Sequence, residues 1–307
     1  MKLLTVLSAS LMGLLLVSGQ AMATVVTVRP PPQHDAALAA GMAPHRAAYD
    51  IQLVSVRNGS QIINVTGKMT YSWEASCEGW VTNHGFKIAY EYAENPPLRI
   101  ESQFSTLESL DGAKMRFSSS SRHNGEPGDV IRGHATIAKT LKNADTQSAG
   151  LAVYDLPEAT KLTLPANTMF PMTHTLQVLR QAKAGQPFLS RPLFDGSDTD
   201  GITQVSAVIG KPKVLDMQAR KDWPKSWPAK MRAWPLNLAF FAQAENEAGE
   251  AEYDLTAHLL ENGVMREMTI AYKDFKVRHV LTKVEALPVV KCTFPPHNTL
   301  PQKTVTK

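Results

Sequence analysis

From Ile63 onward the chain alternates. Ile63, Val65, Gly67, Met69, Tyr71 and Trp73 hold the odd positions, and Asn64, Thr66, Lys68, Thr70 and Ser72 the even ones. A period of two over that length predicts a strand with one buried and one wet face. Asn58-Gly59 ahead of it is a hairpin signal, because both residue types tolerate positive φ. Its partner strand is then Ala48 to Arg57. Phe86, Ile88, Tyr90 and Tyr92 predict a third strand, and Leu98, Ile100 and Phe104 a fourth. The pattern returns near the C-terminus. Tyr253, Leu255, Ala257 and Leu259 alternate with polar residues, Glu261-Asn262-Gly263 turns the chain, and Val264, Met268, Ile270 and Tyr272 come back. A last strand is expected from about Val280 to Leu287. Sequential hairpins predict a mainly β, antiparallel meander, and the lack of βαβ alternation argues against a doubly wound α/β fold.

One stretch has the helical period instead. Met172, Leu176 and Leu179 are spaced i, i+4, i+7, with Thr168 as the expected N-cap, Pro171 at an early position and Gly185 as the stop. This amphipathic helix is expected to pack on or inside a curved sheet.

The N-terminus carries Lys2, an apolar run from Leu3 to Gly19 and Ala21-Met22-Ala23, the layout of a signal peptide cleaved after Ala23. The expected organisation is a signal peptide at 1–23, an extended lead-in at 24–41 containing Pro30-Pro31-Pro32, a single domain at 42–292 and a loose tail at 293–307. Export is expected to put the chain in an oxidising compartment, with no transmembrane segment after cleavage. There, Cys77 and Cys292 read as one disulfide, two unpaired buried thiols being the alternative. The chain-entropy model gives such a long loop about 5 kcal/mol of stabilisation.

Composition narrows the function classes. The net charge of +4 is small and scattered, so nucleic-acid binding is not expected. Two cysteines exclude iron–sulfur clusters and four-cysteine zinc sites. No nucleophile elbow, phosphate loop, His-Glu-x-x-His or dinucleotide fingerprint occurs, and no two of the nine histidines are four apart. No catalytic residue, metal site or cofactor is therefore assigned.

Four segments carry residues that could support chemistry. Phe194 to Gly201 gathers Asp195, Asp198 and Asp200, but the spacing fails the EF-hand rule and suits a turn. His174 on the first helical turn and the polar cluster Pro44 to Asp50 both read better as structure. Trp223-Pro224, Trp227-Pro228 and Trp234-Pro235, interleaved with Lys221, Lys225, Lys230 and Arg232, predict a protruding extended loop, since proline disfavours central strands. Trp223, Trp227 and Trp234 are the candidate binding residues, with rings capping the core as the competing reading.

Pro44-His45-Arg46-Ala47-Ala48-Tyr49-Asp50, Trp73-Glu74-Ala75-Ser76-Cys77-Glu78-Gly79-Trp80, Phe170-Pro171-Met172-Thr173-His174, Phe194-Asp195-Gly196, Trp234-Pro235 and Leu287-Pro288 ahead of Cys292 follow one another in the order seen in the EipB-like periplasmic proteins of Gram-negative bacteria. The chain resembles that family from about Met42 to Cys292. The resemblance implies a monomeric β-spiral, a long curled antiparallel sheet with a few helices, similar to the lipoprotein carriers LolA and LolB. It also implies a disulfide between Cys77 and Cys292, and a non-enzymatic role in cell-envelope integrity. The alternatives are a carrier that binds lipid or lipoprotein on a concave apolar face, and an envelope hydrolase using His174 or Asp195.

Overall fold

The computed structural model describes residues 39–137, 148–199, 201–242 and 249–290. The expected signal peptide, most of the lead-in, Cys292 and the tail lie outside these residues. Fifteen strands form one antiparallel sheet. The first four are β1 (His45–Val56), β2 (Ile62–Ala75), β3 (Gly79–Tyr92) and β4 (Leu98–Ser109). They continue as β5 (Lys114–His123), β6 (Glu126–Ile137), β7 (Ser148–Leu156) and β8 (Thr160–Pro165), each paired with its predecessor. Helix α1 (Pro171–Lys183) then leads to β9 (Phe188–Leu193), β10 (Thr203–Ile209), β11 (Lys213–Asp216) and β12 (Lys230–Ala242). The chain ends in β13 (Tyr253–Leu260), β14 (Met265–Tyr272) and β15 (Phe275–Ala286). β15 returns to pair with β1, so the first and last strands meet in mid-sheet. All described residues belong to one compact unit, 32–307.

The two edges of the sheet, β8 and β9, nearly meet. Just beyond β8, Met169 donates its N–H to the Pro192 carbonyl at 2.8 Å, and Phe194 N–H donates to Met169 at 3.0 Å. That parallel bridge closes the curled sheet into a barrel-like shape. The fold is therefore mainly β and curled, as expected, but α1 is the only complete helix among the described residues rather than one of a few.

The alternating patterns named in the sequence are β1 to β4 and β13 to β15. β15 begins at Phe275, five residues ahead of the expected start. The helix starts differently too. Its N-cap is Phe170, without a side-chain cap, while the Thr168 hydroxyl donates to the Pro165 carbonyl at 2.8 Å. The cap comes from β4 instead. Glu108 accepts from the backbone N–H groups of Met172 and Thr173, both at 2.8 Å, and from the Thr173 hydroxyl. A carboxylate on the first-turn N–H groups satisfies donors that a helix leaves unpaired and suits the positive end of its dipole. The stop is at Gly185, φ 71°.

The expected protruding Trp-Pro loop fails at Trp234-Pro235. Trp234-Pro235 lie inside β12, between β13 on one side and β10 and β11 on the other. The Pro235 carbonyl accepts from Gly210 N–H at 2.8 Å. N–H and C=O of one strand residue point the same way. The donor that proline lacks therefore faces the crossing from β10 to β11, where no ladder bond is required. Trp223 and Trp227 do sit in a loop, but Trp223 turns inward and its indole N–H donates to the Pro228 carbonyl at 3.1 Å.

Candidate functional site

Curling the sheet brings one face of every strand towards a shared interior. Helix α1 fills part of it. Met172, Val178, Leu179 and Ala182 pack against Trp73, Trp80 and Trp234 and against β10. Beyond the N-terminus of α1 the interior stays open as a cavity of about 680 Å³. Pro171, Met172 and Thr175 line it from the helix side. That volume falls in the range of small-molecule sites.

The wall has two characters. β1, β2, β3 and β13 to β15 contribute large side chains, among them Ile51, Val65, Met69, Ile88, Met268 and Val277. β4, β5 and β6 mix sizes, with Phe104 and Ile131 beside Ser102, Ser119, Ser121 and Asp129. Where β5 carries Ser119 and Ser121, that strand sends nothing large inward, and the space remains.

Along the lining runs a chain of aromatic rings. Phe240 stacks on Tyr253 with centroids 4.3 Å apart, Tyr253 lies 5.7 Å from Tyr272, Tyr272 stacks on Phe275 at 4.8 Å, and Phe275 meets Tyr90 edge-on at 6.1 Å. They come from β12, β13, β14, β15 and β3. Each is only partly buried, and Tyr272 is 39 % exposed. Burial pushes the Tyr90 phenol up to about 12, and raises Tyr253 and Tyr272 as well, so all three hydroxyls stay neutral. His84 also lines the cavity, 4.8 Å from the Tyr71 ring and 5.8 Å from Phe104. Burial lowers its pKa to about 4, and does the same to His279 on β15, which also lines the cavity.

Asp195 and Asp198 enter from the loop after β9. Ser197 N–H donates to Asp195 Oδ1 at 2.9 Å, which makes the expected turn. Gly196 has φ 72°, and a Cβ there would overlap the Phe117 ring, so only glycine fits. Burial raises the Asp195 carboxyl above its ordinary range, and Asp195 in turn raises Tyr253 electrostatically. No group of three or more potential metal ligands occurs among the described residues.

The other sequence candidates fall elsewhere. His174 faces the core beside Arg191, not the cavity, and burial lowers its pKa to about 4. No hydrogen bond or ion pair joins it to Asp195 among the described residues. His45 is buried, with Nδ1 2.8 Å from the Ala43 carbonyl and its ring among Tyr71, Trp73 and Trp227. Trp234 and Trp223 are 1 % and 7 % exposed and pack in two different core clusters. Cys77 lies in the turn between β2 and β3. Glu108 and the aromatic chain were not singled out in the sequence. The aromatic residues were visible as strand positions, but their convergence depends on which strands become neighbours.

The EipB-like family model matches residues 36–288. The chain is 32 % identical over 253 residues to a protein of Brucella abortus (strain 2308) named cell envelope integrity protein EipB, covering 81 % of this chain and 86 % of that one. It also superposes with a TM-score of 0.72 on the crystal structure of a beta-barrel-like protein of domain of unknown function DUF1849 from Brucella abortus. That match is 29 % identical and covers 80 % of this chain and 99 % of the other.

Proposed function

Because this chain belongs to the EipB-like family, we propose that it is a non-enzymatic periplasmic protein that supports cell-envelope integrity by holding an apolar chain inside its sheet. The observation that carries the reading is the open interior, about 680 Å³, walled by aliphatic and aromatic side chains. Burying an acyl chain there is favourable by roughly 0.8 kcal/mol per methylene. No described helix is long and apolar enough to cross a membrane, which is compatible with an exported protein.

The Cys77–Cys292 bridge belongs to the same proposal. Leu287 N–H donates to the Pro44 carbonyl at 2.8 Å, so the chain leaves β15 beside the start of β1. His45 there is opposite Trp73, four residues before Cys77. A bridge at that place would pin the last segment to the β2–β3 turn.

The test is a deletion strain complemented with the wild type and with Cys77→Ser/Cys292→Ser. Deletion is expected to raise outer-membrane permeability, with full rescue by the wild type and weakened rescue by the double variant. Unchanged permeability on deletion overturns the envelope role. A cytoplasmic protein with both thiols open to alkylation overturns the location and the bridge. The carrier reading, favoured by the same cavity, requires lipid to be extracted with protein purified without detergent.

A further inference from the structure

The charges around the cavity have one sign. Among the described residues that line it, three are carboxylates, Asp129, Asp195 and Asp198, and none is lysine or arginine. The two histidines in the lining, His84 and His279, are held neutral by burial. The remaining positive feature would be the N-terminus of α1, which points at the same space. Its first N–H groups are already taken by Glu108, a buried carboxylate. An anionic head placed here would meet carboxylates and no free cationic partner.

The aromatic chain points the same way. Asp195 and Asp198 both act electrostatically on Tyr253, whose ring stacks with Phe240 and neighbours Tyr272. Aromatic faces are electron-rich, and rings grouped beside carboxylates make the arrangement that attracts ammonium groups, by about 0.5–2 kcal/mol per cation–π contact. Apolar lining below and a cation-attracting rim above describe a ligand with two ends.

We propose that the cavity takes an amphiphile whose apolar chain lies against β1, β2 and β13 to β15 and whose head carries an ammonium group, held by Asp195, Asp198 and the Phe240–Tyr253–Tyr272 rings. The proposal rests on the reading of the cavity as a site for an apolar chain, and it adds the head-group class. It sets a preference order: ammonium above neutral, neutral above sulfate.

The experiment uses the purified full-length protein loaded with the neutral apolar fluorophore N-phenyl-1-naphthylamine. It is displaced by dodecyltrimethylammonium, dodecyl maltoside and dodecyl sulfate, each below its micelle concentration. The three share a chain length and differ in the head. Displacement by the ammonium at a concentration about tenfold below that of the sulfate is the expected result. In Asp195→Asn/Asp198→Asn the ratio between ammonium and maltoside should collapse towards one. Should that variant not fold, as judged by circular dichroism, the exposed single change Asp198→Asn carries the test, lowering the ratio by about threefold. Equal displacement by all three heads, or stronger displacement by the sulfate, overturns the head-group assignment and leaves the apolar site standing. Failure of the fluorophore and all three amphiphiles to bind overturns the apolar site itself.

Discussion

β2 and β5 are both curled strands with one face inward, yet they do opposite things with it. β2 sends in Val65, Met69, Tyr71 and Trp73, and the interior beside Trp73 is packed solid with Trp80 and α1. β5 begins the same way with Met115 and Phe117, then continues with Ser119 and Ser121 on the same face. The cavity opens where those large residues give way to serine. A hollow in this protein is thus a matter of side-chain size at fixed inward positions, not of a gap in the sheet.

The largest effect should come from the packed side. Trp73 is 1 % exposed. Trp73→Ala is expected to cost about 4 kcal/mol, read as a lower urea midpoint. A loss under about 1 kcal/mol would mean that this end collapses as readily as the serine side.

An intermediate effect belongs to Glu108, at the boundary between plug and hollow. Glu108→Gln replaces an acceptor with a group that also presents donors to two N–H groups, and should cost about 2 kcal/mol. Its pH signature has a defined sign. Burial raises the Glu108 carboxyl to about 7, so its folded-state value lies above its unfolded one. The native state therefore binds that proton more tightly, and this contribution fades as pH rises from about 4.5 to 7. His84, His174 and His279 are lowered to about 4 from 6.5. Their contribution is full above pH 6.5 and is lost as pH falls towards 4. Glu108 opposes them, so Glu108→Gln should steepen the acid loss between pH 6.5 and 4.5, measured as urea midpoints across that window.

Smallest in stability is Ser119→Leu, which gives β5 a β2-like interior. Stability should move by less than about 1 kcal/mol, since the new side chain enters open space. Binding of N-phenyl-1-naphthylamine should weaken severalfold; unchanged binding would place the apolar site elsewhere.

The same contrast explains what could be read in the sequence. β1 to β4 and β13 to β15 showed themselves because large apolar residues alternate with polar ones. β5 did not, because Ser118 to Ser121 hides the alternation in a run of one residue. β12 was masked by Pro235, whose tolerance depends on a neighbour changing partners at Gly210. The helix was legible from Met172, Leu176 and Leu179, but its cap was not, since Glu108 stands on another strand and has no local signal. Asp195 is legible as a turn residue, but Tyr253, on which it acts, comes from a strand far along the chain.

The pairing of β1 with β15 has a kinetic side. The Thr282 hydroxyl donates to the Ala48 carbonyl across 234 positions of sequence. Contacts that distant form slowly, because most of the chain must be ordered before they are reached. A polypeptide emerging N-terminus first would show β1 with a bare edge until the final strand arrives. Such an edge invites mispairing with other chains, so a holdase that shields it until β15 arrives should raise the yield of native protein.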